Sequence, residues 1–202
     1  MRIRLDVQNL LLASWETDRD AVSRVVPPGT EPAEVDGRYV VSVVSFHVRR
    51  GRVGPAPVLP FSQLNLRTYV SWKDELAVLF LASRVTLAGL PGLVLGAPYR
   101  SARLRVKPGH LRAPGLGVDI RYRLGGSADP GELGRHELGI FESGGLKAIR
   151  IERGPAEWQS ADLAAPATAH LLLGYGFAPL GEPQLVYTPE TSFQTEPAKR
   201  LA

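Results

Sequence analysis

Phe61-Ser62-Gln63-Leu64-Asn65-Leu66-Arg67-Thr68-Tyr69-Val70 alternates in character from one residue to the next. In an extended chain successive side chains point to opposite faces. The run therefore puts Asn65, Arg67 and Tyr69 on one face and Leu64, Leu66 and Val70 on the other. A guanidinium between an amide and a phenol serves either a solvated exterior or the polar wall of a barrel. That choice decides whether the chain encloses a pocket, and the run alone leaves it open.

Outward from this run, strand signals outnumber helix signals. Tyr39–Val48, Leu64–Trp72, Leu76–Ala82, Ala102–Lys107, Val118–Leu124, Leu146–Glu152 and Gln184–Tyr187 are rich in branched and aromatic residues and are separated by glycine and proline. Asp36-Gly37 opens the first long strand, Gly125-Gly126 and Asp129-Pro130-Gly131 form a loop, and Gly144-Gly145 reads as a hairpin turn between Leu138–Phe141 and Leu146–Ile151. A helix is predicted over Arg19–Val26, capped by Thr17 or Asp18 and stopped by Pro27-Pro28-Gly29, and a weaker one over Ser160–Ala169. Gly51–Pro60 reads as a surface loop, and the chain from Pro189 as edge strand and extended tail. No period repeats, which excludes a solenoid or propeller.

The chain has 202 residues, 44% hydrophobic and 22% charged, enough for one substantial core. The absence of cysteine excludes disulfides, thiolate nucleophiles and thiolate metal sites. Leu76–Gly96 is apolar and long enough to cross a bilayer of roughly 30 Å. Arg84 would then cost roughly 2.5 to 3.5 kcal/mol on insertion scales, and Gly89, Pro91 and Gly92 would break the helix, so a buried strand leading into a helix or loop is expected instead. Leu10-Leu11-Leu12-Ala13 is too short for a signal segment and is flanked by Asp6 and Glu16, which predicts a cytoplasmic protein. The net charge of +4 is small for this length. Lys73, Lys107, Lys147 and Lys199 are the chain's four lysines, and no stretch interleaves aromatics with basic residues as a stacking platform would. Neither nucleic acid nor membrane is expected as a partner, and a homo-oligomer stays open.

Trp15-Glu16-Thr17-Asp18, a short helix ending at Pro27-Pro28-Gly29, Asp36-Gly37, the valine-rich strand, Phe61-x-x-x-Asn65-x-Arg67-Thr68-Tyr69-Val70 and Pro98-Tyr99-x-x-Ala102 together resemble the YqjF-like proteins, a branch of the acetoacetate decarboxylase-like superfamily. The resemblance runs over roughly residues 8 to 190. It implies a mainly β (α+β) fold, a cone-shaped antiparallel β-barrel with a few short rim helices around a cavity, as a single domain over 1–202 with a flexible tail from about 189.

Decarboxylases of that superfamily use a lysine Schiff base, its amine kept free by a second lysine and an apolar site. Their motif resembles Arg-Glu-x-x-Gly-x-Pro-Lys-Lys. Aligned on Gly96-Ala97-Pro98, this chain has Gly92 and Leu93 for Arg and Glu, and Tyr99 and Arg100 for the two lysines. Tyrosine forms no imine, and arginine stays protonated and is no substitute amine. The four lysines fall in turns, beside Pro108 or in the tail, all of them expected to be exposed. The resemblance thus implies a cavity without carrying over its chemistry.

Other constellations are absent. His47, His110, His136 and His170 are scattered, with no pair at ligand spacing, and neither a Gly-x-Ser-x-Gly elbow nor a phosphate-binding Gly-x-x-x-x-Gly-Lys loop occurs. No metal and no cofactor is expected. Asn65, Arg67, Tyr69 and Tyr99 are the candidate ligand-binding residues. If Arg67 faces inward it needs an anion, supplied either by a bound small organic acid or by a structural ion pair to a residue such as Glu142 or Glu152. Tyr99 is either a pocket phenol or a core aromatic. Three functions follow. The first is a barrel that binds a small organic acid without Schiff-base chemistry. The second is an enzyme acting on a small carboxylate or keto acid through Arg67 and a tyrosine or carboxylate. The third is a structural or protein-partner module with a filled barrel.

Overall fold

Branched and aromatic residues at every second position favour long strands, and long strands dominate the computed structural model, which describes residues 2–86, 98–135 and 137–201. In chain order these are β1 (Ile3–Glu16), helix α1 (Arg19–Ser23), β2 (Glu31–Pro32), β3 (Val40–Val53), β4 (Ala56–Val58), β5 (Phe61–Trp72) and β6 (Glu75–Val85). They continue with β7 (Tyr99–Ser101), β8 (Arg105–Lys107), β9 (His110–Ala113), β10 (Val118–Ser127), β11 (Leu138–Glu142) and β12 (Leu146–Arg153). The chain ends with β13 (Gln159–Leu163), β14 (Thr168–Ala169), helix α2 (His170–Leu173), β15 (Leu180–Thr195) and β16 (Lys199–Arg200). Among the described residues no helix is long and apolar enough to cross a membrane.

The sheet closes on itself. Strands follow the order β12-β11-β6-β5-β3-β1-β15, and β15 then pairs back onto β12 through Ile151 with Thr195 and Arg153 with Phe193. Pairing around this ring is antiparallel except between β11 and β6. A second leaf leaves the ring from the earlier part of β15, where Ala161 of β13 faces Leu185, and continues through β10, β9 and β8.

Two cores lie on the two faces of β1, β3 and β5, and a third buried cluster of Val70, Ala77, Leu79, Leu138 and Ile140 packs among β5, β6 and β11. Leu11, Val43, Leu64 and Leu66 pack outward against α1, α2 and the second leaf, together with Ile120, Leu172, Phe177 and Tyr187. Val7, Leu12, Val44, Phe46, Phe61, Tyr69, Val78 and Phe141 pack inside the ring. Where α1, α2 and the second leaf cover it, the exterior of the ring is thus apolar, and every residue from Phe61 to Val70 is buried.

Several sequence expectations hold and others need correction. Asp18 is the cap of α1, its carboxylate accepting from the Ala21 amide at 2.7 Å, and the helix stops at Ser23. Lys73 and Asp74, both left-handed, turn β5 into β6, and Gly144 and Gly145 turn β11 into β12. The strand β1 was not anticipated. Asn9 sits at φ 55° in a bulge that shifts the register against β3, and Leu10-Leu11-Leu12-Ala13 is buried on both faces, so the segment shows no alternation.

The helix expected over Ser160–Ala169 is instead β13 and β14, with α2 starting at His170. Ser160 and Ala161 pair with Val186 and Leu185, and Pro166 lacks the amide a helix needs. Gly51–Pro60 is a hairpin rather than a loop: β3 runs to Val53, turns at Gly54 and returns as β4. Gly51 lies close to Leu5 there, a Cβ at this position falling 2.8 Å from Leu5 Cδ2. Ala102–Lys107 is a strand only over Arg105–Lys107. The tail expected from about 189 is, as far as Thr195, interior sheet between β1 and β12. The continuation of the apolar stretch beyond Thr86, Gly92, Leu93, Gly96 and Ala97 of the aligned motif, and His136 lie outside the described residues.

Candidate functional site

Alternation on β5 sends Gln63, Asn65 and Arg67 into the ring, where they line a cavity of about 240 Å3. Most of its wall is apolar, from Val44, Phe46, Phe80, Phe141, Ile149 and Phe193. Tyr99 reaches it from β7, which runs parallel to β6 with Ser83 opposite Tyr99. Gly139 gives the wall its shape. A Cβ there would lie 2.5 Å from Phe80 Cε2, so glycine leaves room for the Phe80 ring beside β11.

Arg67 is 7% exposed. Its Nη2 donates to the Tyr69 hydroxyl at 3.0 Å and to the Leu133 carbonyl at 2.9 Å, and its guanidinium carbon lies 5.5 Å from the Tyr69 ring centre. Both Nη2 protons are then used, and Nε is buried without an acceptor. Neither Glu142 nor Glu152 reaches it, both being exposed. Tyr69 is fully buried and does not line the cavity. It stands behind Arg67 and fixes it, with Ser42 Oγ 3.5 Å from its hydroxyl and Ser14 Oγ 2.8 Å further on. Asn65 and Tyr99 both meet Gln63. Gln63 Nε2 donates to Asn65 Oδ1 at 2.9 Å, and the Tyr99 phenol hydrogen-bonds with Gln63. Burial pushes the Tyr99 hydroxyl up to about 12, against the smaller opposing effect of that bond, so it remains a neutral hydroxyl at neutral pH.

Sequence reasoning missed Arg153, the last residue of β12. It lines the same cavity, its Nη1 donates to the Gly134 carbonyl, and its guanidinium carbon lies 5.4 Å from the Trp158 ring and 5.6 Å from the Phe193 ring. Its Nε is also buried without an acceptor. Burial first, and then the charge of Arg67, bring Arg153 down to about 10, with Tyr69 opposing. The signal was present in the sequence: Ile149, Ile151 and Arg153 share a face at period two, and all three line the cavity.

No carboxylate neutralises this pair. Every aspartate and glutamate is among the described residues, and the ion pairs found there join Asp119 to His110, Arg112 and Arg121, Asp129 to Arg135, and Glu75 to Arg150. Of the lysines, Lys73, Lys107 and Lys199 are exposed and Lys147 is half-buried, and none lines the cavity. His47 meets Ser62 Oγ at 3.1 Å and His110 meets Asp119 at 2.9 Å, both away from the cavity. Among the described residues no three histidine, aspartate or glutamate side chains gather as a metal site would require.

Comparison with known proteins agrees with this architecture. Residues 4–192 match the DUF2071 family, described as "Uncharacterized conserved protein". The uncharacterised protein YqjF of Bacillus subtilis (strain 168) is 31% identical over 78 residues, 37% of this chain, and the match spans about a third (32%) of that relative's length. Among solved structures, acetoacetate decarboxylase from Legionella pneumophila superposes with a TM-score of 0.68 at 15% identity, covering 100% of this chain and 88% of that one. The enduracididine biosynthesis enzyme MppR complexed with pyruvate gives 0.65 at 15% identity, covering 100% and 91%. An acetoacetate decarboxylase-like enzyme from Sphingomonas wittichii RW1 gives 0.64 at 14% identity, covering 98% and 92%. At such identities the superpositions speak for the fold, while the family match rests on sequence. The chain belongs to the DUF2071 family, and its fold is like that of acetoacetate decarboxylase and related solved structures.

Proposed function

We propose that the chain binds a small organic acid in the cavity inside its ring of strands, with the acid's carboxylate on Arg67. The observation that carries this reading is a guanidinium 7% exposed, in a cavity wall, with a buried Nε–H that no acceptor meets and no carboxylate beside it. An unpaired buried charge is costly, typically several kcal/mol. A bound carboxylate offsets that cost, in the charge-assisted geometry arginine favours. Tyr99 and the Gln63–Asn65 pair then meet the rest of the ligand as neutral hydrogen-bonding groups. Pyruvate bound to MppR is a fact about that enzyme, and it adds fold-level support only.

Binding without lysine chemistry is preferred to catalysis on physical grounds. An acid–base catalyst works best with a pKa near the working pH, and Tyr99 is held far above it. A Schiff base needs an amine in the wall, and the lysines lie elsewhere. A filled, purely structural barrel fits poorly with a cavity of about 240 Å3. Calorimetric titration with short monocarboxylic and dicarboxylic acids tests the reading. The wild type should bind members of the set, and Arg67→Met, which keeps most of the stem volume, should lose binding at least tenfold while still unfolding cooperatively. Unchanged affinity in a well-folded Arg67→Met would end the assignment.

A further inference from the structure

Arg67 and Arg153 come from opposite sides of the ring yet fasten to consecutive carbonyls, Leu133 O and Gly134 O, in one short turn. The turn can be this tight because residue 134 has no side chain. A Cβ there would lie 2.4 Å from Pro130 Cβ. Both guanidiniums thus belong to one wall of one cavity, each with a buried, unmet Nε–H. Like charges held together in a partly desolvated space repel, more strongly than at a solvated surface. Proteins keep such pairs where an anion divides its charge between them.

From this pair we propose that the ligand is a compact dicarboxylate rather than a monoacid, a step that rests on the acid-binding reading above. A monoanion balances one guanidinium and leaves the second uncompensated. Two carboxylates on a short carbon skeleton balance both guanidinium charges. The other charged residues on the lining do not alter this count of buried charge: Arg84 is half-buried, Arg100 and Glu137 are exposed, and Glu137 makes no ion pair with either buried arginine, its field being felt by Arg150. The carbon skeleton follows from the rest of the wall, since Phe46, Phe80, Phe141 and Ile149 suit methylene groups and would leave a hydrated phosphate poorly served.

The experiment is calorimetric titration of the full chain with succinate, glutarate, butyrate and inorganic phosphate at fixed ionic strength, then with Arg153→Met. The wild type should bind succinate or glutarate at least tenfold more tightly than butyrate or phosphate. Arg153→Met should remove most of that preference, dicarboxylate affinity falling at least tenfold toward that of butyrate. Butyrate binding as tightly as both dicarboxylates would overturn the dicarboxylate assignment and leave acid binding standing. Phosphate binding more tightly than either dicarboxylate would overturn the carbon-skeleton argument, and no binding of any probe would overturn both readings. The wild-type comparison alone decides the matter if Arg153→Met does not fold.

Discussion

Tyr99 shows how much a single residue's role depends on partners that sequence does not announce. Its place beside Asn65 in the site was expected from the family resemblance, but its bond to Gln63 depends on a parallel pairing of β7 with β6 that no local pattern encodes. Its titration is testable. The folded phenol keeps its proton up to about 12, against 10.0 for a free tyrosine. Folded protein therefore binds more protons than unfolded between those values, so the stability owed to Tyr99 is complete below about pH 10 and is lost as pH rises through about 12. A difference titration of tyrosinate absorbance, wild type minus Tyr99→Phe, should show a component centred near 12, and a component near 10 would mean the phenol is solvated. Alternation put Asn65 and Arg67 on one face of their strand but left open whether that face looked inward. Arg153 was not legible, because a charge at a strand end before Gly154-Pro155 reads as solvent-facing, and only the closure of the ring turns that end inward.

Individual elements were legible where one face differs chemically from the other. The two faces of β5 do differ, polar against apolar, although both are buried, and so its alternation survives in the sequence. The same burial hid β1, whose faces are both apolar and whose phase is broken at Asn9. The two faces of β5 should separate in mutation. Leu66→Ala leaves a void in the outer core and should cost about 2 to 5 kcal/mol, read from a denaturant melt, with acid affinity unchanged among the molecules that remain folded. Gly139→Ala acts from the other side: its Cβ meets Phe80 at 2.5 Å and Ile149 at 3.1 Å, so the ring must move toward the cavity. Affinity for the longer acids should then fall more than affinity for the shorter. Equal losses across chain lengths would mean that the strand, and not the cavity, had moved.

At the scale of the whole molecule, the cavity exists because distant ends of the chain meet. β15 pairs with β1 from Ile3 against Thr195 to Glu16 against Leu180, and its last residues close the ring onto β12. Pairing across nearly the full length of the chain is invisible to local pattern, which is why the C-terminal stretch reads as a tail and why the expectation of closure needed family resemblance beside alternation and turns. Such non-local closure also implies slow folding for a protein of this size. The closing segment can be tested by truncation. A chain ending at Glu196 keeps every β15 pair and loses only the short β16, so it should melt cooperatively within a few degrees of the full chain and bind acids as tightly. A chain ending at Thr188 loses the pairs of Ile3 to Gln8 and the whole β12 contact, exposing two strand edges and opening the wall that holds Arg153. It should lose acid binding and its cooperative transition together. A Thr188-terminated chain that still bound dicarboxylates would show that the arginine pair is assembled without the ring.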